Sequence, residues 1–256
     1  MIGLREGVFM TLCFQDITFR YRRWSPPIFN GFSWEVPPGK TVLLGPNGAG
    51  KSTLLSLGAD ALRPSQGQVC FETLDSRHRR DRAAYRRAVG WMPQQIRAVP
   101  GLTAHEQVAY AAWLKGLDTK QAWQSAVVAL EQVALADLAT QKTTTLSGGQ
   151  LRRVGLAQVL SHQAQVLLLD EPTVGLDPAQ RARFRDLLVA LPSDYAVVVS
   201  THQVDDLSDL FDTVVVLDQG QIKFSGSVAA FMDLAPTSAP ERQAELAYAQ
   251  IIGGAG

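Results

Sequence analysis

The sequence has no apolar run long enough to cross a bilayer. Its longest stretches, such as Val166–Leu169 and Val214–Leu217, are strand-sized, whereas a membrane span needs roughly twenty residues. Cysteine is scarce: Cys13 and Cys70 stand far apart, in no metal-ligand or redox spacing. Two isolated thiols are the usage of a reducing compartment, where cysteine serves as a small hydrophobe and no disulfide is expected. Charge of one sign is also lacking, since 24 Lys and Arg cancel 24 Asp and Glu, so no global field draws the chain to nucleic acid or anionic lipid. Met1–Met10 carries Arg5 and Glu6 and lacks the apolar core of a secretory signal. There is no internal repeat or low-complexity tract. What is there, 46% hydrophobic and 19% charged residues, is the composition of a globular chain able to bury a core.

Hydrophobic patterning divides that chain. Leu12–Tyr21 and Ile28–Val36 alternate apolar and polar residues, as half-buried antiparallel strands do. Pro37-Pro38-Gly39 marks a turn. Thr41–Leu44 then runs without alternation, and Val89–Met92, Val166–Leu169 and Ala196–Val199 repeat that character with helix-like stretches between. Such runs read as strands buried on both faces of a parallel sheet. Thr213–Leu217 and Gln221–Phe224 flank Asp218-Gln219-Gly220, a hairpin closing one edge. Leu102–His162 has no comparable strand; Ala104–Lys115, Lys120–Gln132 and Leu151–Ser161 are helix-compatible and read as an inserted helical subdomain. Residues beyond Ala235 read as a loosely attached helix or a disordered tail.

One loop carries chemistry directly. Gly45-Pro46-Asn47-Gly48-Ala49-Gly50-Lys51-Ser52-Thr53 matches G-x-x-x-x-G-K-[ST], directly after the Thr41–Leu44 strand and before a helix-like segment. Glycines let successive N–H groups curl inward toward phosphate oxygens, and the helix that starts there adds its positive end. Lys51 would reach the β- and γ-phosphates of ATP, and the Ser52 hydroxyl would ligate Mg2+. The fold class is therefore α/β: a phosphate-loop NTPase core with a mostly parallel sheet, an N-terminal antiparallel β subdomain and the helical insertion.

Val166–Leu169 ends in Asp170-Glu171. A buried parallel strand delivers its last residues to the carboxyl edge of the sheet, where the phosphate loop also lies. Asp170 suits a contact to Mg2+, direct or through a bound water. Glu171 suits a base for the water that attacks the γ-phosphate.

Leu146-Ser147-Gly148-Gly149-Gln150 makes the reading specific. With it the chain resembles the ATP-binding cassette (ABC) ATPases, whose signature is LSGGQ. Asp170-Glu171-Pro172-Thr173, Gly175-Leu176-Asp177-Pro178 and Ser200-Thr201-His202 follow in that family's order. The resemblance covers roughly residues 12–230. It implies a nucleotide-binding domain over about 10–232, a helical subdomain over about 95–162, and a tail at 233–256. Ser147, Gly148 and Gly149, set before the helix-like Leu151–Ser161, look like a second anion site. In the family that site meets the ATP held by the other protomer.

Single residues carry over by position. Gln94 resembles the Gln that contacts Mg2+ or the attacking water, with Gln95 adjacent. His202 resembles the switch His on the γ-phosphate, and Asp177 the residue that couples the two sites of a dimer. Tyr21 resembles the aromatic that stacks on adenine, with Trp24 a rival in the same loop. Leu151 and Glu72-Thr73 depart from the common pattern without touching the phosphates. Arg77 to Arg87 holds six arginines and reads as a solvated basic segment, not a nucleic-acid patch. The resemblance implies a cytoplasmic subunit that pairs with a second copy and sits on the inner face of the membrane through a separate permease. Pro100–Gly116 leans toward export. The alternative is a soluble ABC regulator of ribosomes or DNA repair, whose relatives usually carry tandem cassettes or a long coiled coil.

Overall fold

The alternation of the N-terminal stretches becomes a four-stranded antiparallel sheet, ordered β2 (Phe29–Glu35), β1 (Leu12–Phe19), β4 (Gln66–Phe71), β5 (Leu74–Asp75). The computed structural model describes residues 11–192, 195–202, 210–235 and 242–253; Met1–Met10, read above for a signal sequence, lies outside them. Leu12, Phe14 and Ile17 of β1 turn inward with Phe32 and Trp34 of β2 and Val69 and Phe71 of β4. Phe14 stacks on Trp34 with centroids 5.8 Å apart. Each such side chain contributes about 1.5–3 kcal/mol by burial. β4 was not legible as a strand, because only Val69 and Phe71 of its six residues are buried.

The second sheet has six strands in the order β10 (Gln221–Ser227), β9 (Thr213–Asp218), β3 (Lys40–Leu44), β8 (Ala196–Thr201), β7 (Val166–Asp170), β6 (Val89–Met92). All neighbours pair in parallel except β9 and β10, which form the expected hairpin. Its non-alternating strands are apolar throughout because both faces are covered. Leu43, Leu168, Val198 and Val215 face the core shared with the antiparallel sheet. Leu167, Leu169, Val197 and Val199 face the helical insertion. Val42, Leu44, Val214 and Val216 face α7 (Val228–Met232) and α8 (Gln243–Gly253). α8 is thus not loosely attached: Ala247 is fully buried, and Tyr248, Ile251 and Ile252 pack on the same cluster.

The insertion contains α3 (Ala104–Leu114), α4 (Thr119–Gln132) and α5 (Gly148–Leu160). Each starts in a capping box: Thr103 with Glu106, Asp118 with Gln121, Ser147 with Gln150. Buried Ala104, Ala126 and Ala129 let these helices approach closely. α5 begins at Gly148, three residues before the expected Leu151, because the Ser147 cap offsets the poor helix propensity of two glycines, about 1 kcal/mol each. The core helices are α1 (Lys51–Gly58), α2 (Arg82–Ala88) and α6 (Pro178–Val189). α2 lies inside the arginine-rich stretch, whose arginines are exposed apart from half-buried Arg82. Arg77 pairs with Asp75, and Arg82 and Arg86 pair with buried Asp60.

Candidate active site

β3 runs into the loop Gly45–Gly50, which turns into α1. A Cβ on Gly45 would stand 2.2 Å from the Leu217 carbonyl oxygen, so only glycine fits beneath β9. Gly50 caps α1 at φ +106, a left-handed conformation, with no side-chain cap. The first N–H groups of a helix have no intrahelical acceptor, so this end presents donors and a positive dipole to the loop. Lys51 is buried, and its Nζ donates to the Gly45 and Pro46 carbonyls at 2.6 and 3.1 Å. Desolvation lowers its pKa, while the Glu171 and Asp170 carboxylates oppose that shift.

β8 lies between β3 and β7, with Thr201 opposite Leu44 and Ser200 opposite Asp170. The parallel register therefore brings three strand ends to one edge. Ser200 is fully buried; its Oγ donates to Asp170 Oδ1 at 2.6 Å and accepts from the Glu171 N–H at 2.9 Å. Ser52 Oγ donates to the same Asp170 oxygen at 3.1 Å. Glu171 has φ +44, unusual for a residue with a side chain and the kind of local strain that gathers at functional sites. Its carboxylate accepts from Gln94 Nε2 at 3.1 Å, and His202 Nδ1 lies 3.3 Å from its other oxygen.

These groups surround a cleft of about 480 Å³ lined by Asn47, Gly48, Gly50, Lys51, Ser52, Thr53, Gln94, Glu171 and His202, with Tyr21 and Ile28 completing the wall. That size suits a small ligand. Gly45, Pro46 and Ala49 shape the loop without lining the cleft, and Asp170 sits behind Ser52. Tyr21 reaches the cleft, 62% exposed, with its hydroxyl 3.1 Å from Thr53 Oγ1. Trp24 does not line it; Arg23 covers its ring at 5.3 Å.

Leu146–Gln150 stands elsewhere. None of the five residues lines the cleft. Leu146 packs on the helical core, Ser147 Oγ accepts from Gln150 N at 3.3 Å, and Gln150 Oε1 accepts from Ser147 N at 2.8 Å. Gly149 lies against α6, where a Cβ would meet Gln180 Oε1 at 2.5 Å. Asp177 caps α6, accepting from Gln180 N at 2.9 Å, and is exposed outside the cleft.

Residues 29–174, more than half of the chain, match the family model described as ABC transporter. The chain belongs to that family. Over 197 residues the cassette is 32% identical to the linearmycin resistance ATP-binding protein LnrL of Bacillus subtilis (strain 168), covering 76% of this chain and 63% of that protein. It is 37% identical over 204 residues to the cobalt import ATP-binding protein CbiO of Rhodobacter capsulatus, covering 78% and 73%. A solved structure titled as the dimeric structure of MJ0796, a bacterial ABC transporter cassette, shares the fold with a TM-score of 0.74 at 24% identity, over 85% of this chain and 98% of that one. The cassette spans less than two thirds of the first of these relatives.

Two residues of the cassette's site were not singled out from sequence. Ser200 stands in the Ser200-Thr201-His202 run, but its bond to Asp170 depends on strand register. Arg152 donates to the Gln94 carbonyl and, at 3.4 Å, to the Val174 carbonyl. It ties the first turn of α5 to the segments that carry Gln94 and Glu171; its sequence signal is the Arg152-Arg153 pair that follows Leu151. The Ser52 hydroxyl, the Asp170 carboxylate and the Gln94 amide oxygen are hard donors of the class that Mg2+ takes, and two of them already lie 3.1 Å apart. The residues present fit that ion. Among the described residues, no helix is long and apolar enough to cross a membrane.

Proposed function

We propose that the chain is the ATP-hydrolysing subunit of a transporter, working as one of a pair beside a separate membrane permease. The observation that carries this reading is the convergence of Lys51, the Ser52–Asp170 pair and the Gln94–Glu171–His202 trio on one cleft. Lys51 exchanges its two carbonyl acceptors for the β- and γ-phosphate oxygens, and the N–H groups of the cleft-lining loop residues, Asn47, Gly48 and Gly50 to Thr53, hold the rest of the triphosphate. Tyr21 covers the adenine. Ser52 and Gln94, with Asp170 directly or through water, would hold Mg2+, which supplies charge neutralisation at the phosphates.

Glu171 accepts a proton from the water that attacks the γ-phosphorus. Gln94 fixes one of its oxygens and His202 steadies the other before turning to the γ-phosphate. Ser200 keeps Asp170 and the Glu171 backbone in register.

None of the Leu146–Gln150 residues lines the chain's own cleft, which supports a shared site: the signature of one copy closes on the nucleotide held by the other, with Asp177 coupling the two. The dimeric title of the similar cassette supports the same arrangement. The nucleotide-binding domain spans about 10–232 and its helical subdomain about 95–162. The subunit works at the inner face of the membrane through its permease. The relatives' names include an importer and a resistance protein, so the lean toward export rests on Pro100–Gly116 alone.

The test is Glu171→Gln. We expect ATP binding to persist while turnover falls by roughly 10²–10⁴, the worth of a positioned base. Near-parental hydrolysis in a steady-state phosphate-release assay would remove Glu171 from that role.

A further inference from the structure

The fold brings together two groups that the sequence holds apart. Cys13 of β1 and Cys70 of β4 are directly opposed in the antiparallel ladder, between the pairs Leu12–Phe71 and Phe14–Val69. Both are free and half-buried. Their chain neighbours fill the core, so the two thiols share the outer face of the sheet with Gln15 and Gln68. The register is regular here; its irregularity falls beyond Gln15. Side chains on this face reach one another across the strands, as Gln68 Nε2 donates to Gln15 Oε1 at 2.6 Å. Directly opposed residues of an antiparallel pair have Cα atoms about 4.5–5.5 Å apart, inside the roughly 4.4–6.8 Å that a disulfide spans.

We propose that Cys13 and Cys70 form a reversible intrachain disulfide that fastens β1 to β4 when the chain meets a small-molecule disulfide oxidant. The thiolate of one cysteine attacks the oxidant's sulfur–sulfur bond, forming a mixed disulfide and expelling one small thiolate. The second cysteine, as thiolate, attacks the protein sulfur of that bond and expels the other. Two protein thiols lose two electrons and two protons, and the oxidant leaves as two thiols.

The surroundings make this a slow, conditional reaction. A cross-strand row runs Glu35, Cys13, Cys70, Asp75. Burial pushes both thiols up, with Glu35 adding at Cys13 and Asp75 at Cys70, while Arg77 opposes at Cys70. The pair thus stays reduced against brief exposure. Once closed, the bond encloses the stretch that holds the phosphate loop and α1 and restricts the unfolded chain. Neither cysteine lines the nucleotide cleft, so the effect falls on stability rather than on turnover.

The experiment compares the full chain after prolonged incubation with oxidised glutathione and after reduction with dithiothreitol. Non-reducing peptide mapping is expected to join the Cys13 peptide to the Cys70 peptide within one chain. The melting temperature should rise by roughly 5–10 °C and return on reduction. Cys13→Ser and Cys70→Ser, each made separately, should lose both the crosslink and the rise; Cys→Ala versions guard against a folding defect. Glutathione adducts left on single thiols, crosslinks between chains, or thiols unreacted even at alkaline pH would overturn the proposal. A closed disulfide with unchanged melting would overturn the bracing role.

Discussion

α1 and α5 both begin at glycine-rich turns and both aim free N–H groups outward, yet the two ends are finished in opposite ways. At α1 the cap is Gly50, with no side-chain acceptor, and the end is completed by its own first two side chains and one from another strand: Lys51 folded over the loop, and Ser52 tied to Asp170 of β7. At α5 the cap is Ser147, which satisfies the Gln150 N–H and is satisfied in return. Neither Ser147 nor Gln150 lines the cleft, and Gly148 has open space where a Cβ would stand. One helix end is a site assembled from within. The other is a self-contained surface that serves a ligand only if the ligand is brought to it.

Lys51→Ala gives the largest expected break in this comparison. It removes the one cation whose Nζ holds both loop carbonyls, and a charged hydrogen bond is worth about 1.5–3 kcal/mol. ATP affinity should fall by roughly 100-fold or more by calorimetry, and α5 should be irrelevant to the loss. Unchanged affinity would sink the phosphate-loop assignment.

Ser147→Arg should act in the opposite sense: ATP binding to the same chain near normal, hydrolysis reduced by roughly 10-fold or more, the scale of a lost transition-state contact. Mixing it with Lys51→Ala tests the division of labour directly. A mixed dimer holds one composite site with an intact phosphate loop and an intact signature, and one doubly broken site. Activity of the mixture above either variant alone, once subunit exchange has been verified by native mass spectrometry, is the expected result. Full activity of Ser147→Arg alone would refute a shared site.

The same comparison marks what sequence could reveal. Gly45–Thr53 was legible because strand, glycines and lysine are contiguous, and Val89–Met92 was read with the bounds it has. Asp170-Glu171 was legible because a run of buried aliphatics ends there. Contacts set by sheet register were not. Ser200 meets Asp170 only because β8 lies between β3 and β7, and Cys13 meets Cys70 only because β1 pairs with β4. Sequence places the start of α5 at Leu151 because two glycines read as loop, whereas the cap reaches across them from Ser147. Which of Tyr21 and Trp24 lines the cleft depends on the loop's path, which brings the Tyr21 hydroxyl to Thr53.

Ser200→Ala sharpens the claim that the α1 end is completed by its own chain. The change leaves Asp170 with one hydroxyl donor, Ser52, where it had two, and takes the hydroxyl acceptor from the Glu171 N–H. The Glu171 N–H keeps the Ser200 carbonyl at 3.2 Å, so the loss falls on Asp170, where a hydrogen bond to a charged group is worth about 1.5–3 kcal/mol; turnover should fall roughly 10-fold with little change in ATP affinity. An unaltered rate would show that Ser52 alone suffices to place Asp170.

The smallest effect concerns the far end of α5, sealed where its start is open. His162 follows the Ser161 cap, is 2% exposed, and donates from Nδ1 to the Gln158 carbonyl at 3.2 Å. Burial drives its pKa from 6.5 down to about 3, with the Lys115 and Arg87 charges adding and the Gln158 carbonyl opposing. The folded chain therefore keeps this imidazole neutral while the unfolded chain protonates it. Between pH 6.5 and about 3 the unfolded state binds more protons, so stability is lost as the pH falls through that window, at up to about 1.4 kcal/mol per pH unit. Urea unfolding across the window should show this slope in the parent and a shallower one in His162→Gln, with equal ATP affinity in both at neutral pH. An identical slope in the variant would assign the acid sensitivity to other groups, because a neutral side chain at this position has no proton to gain.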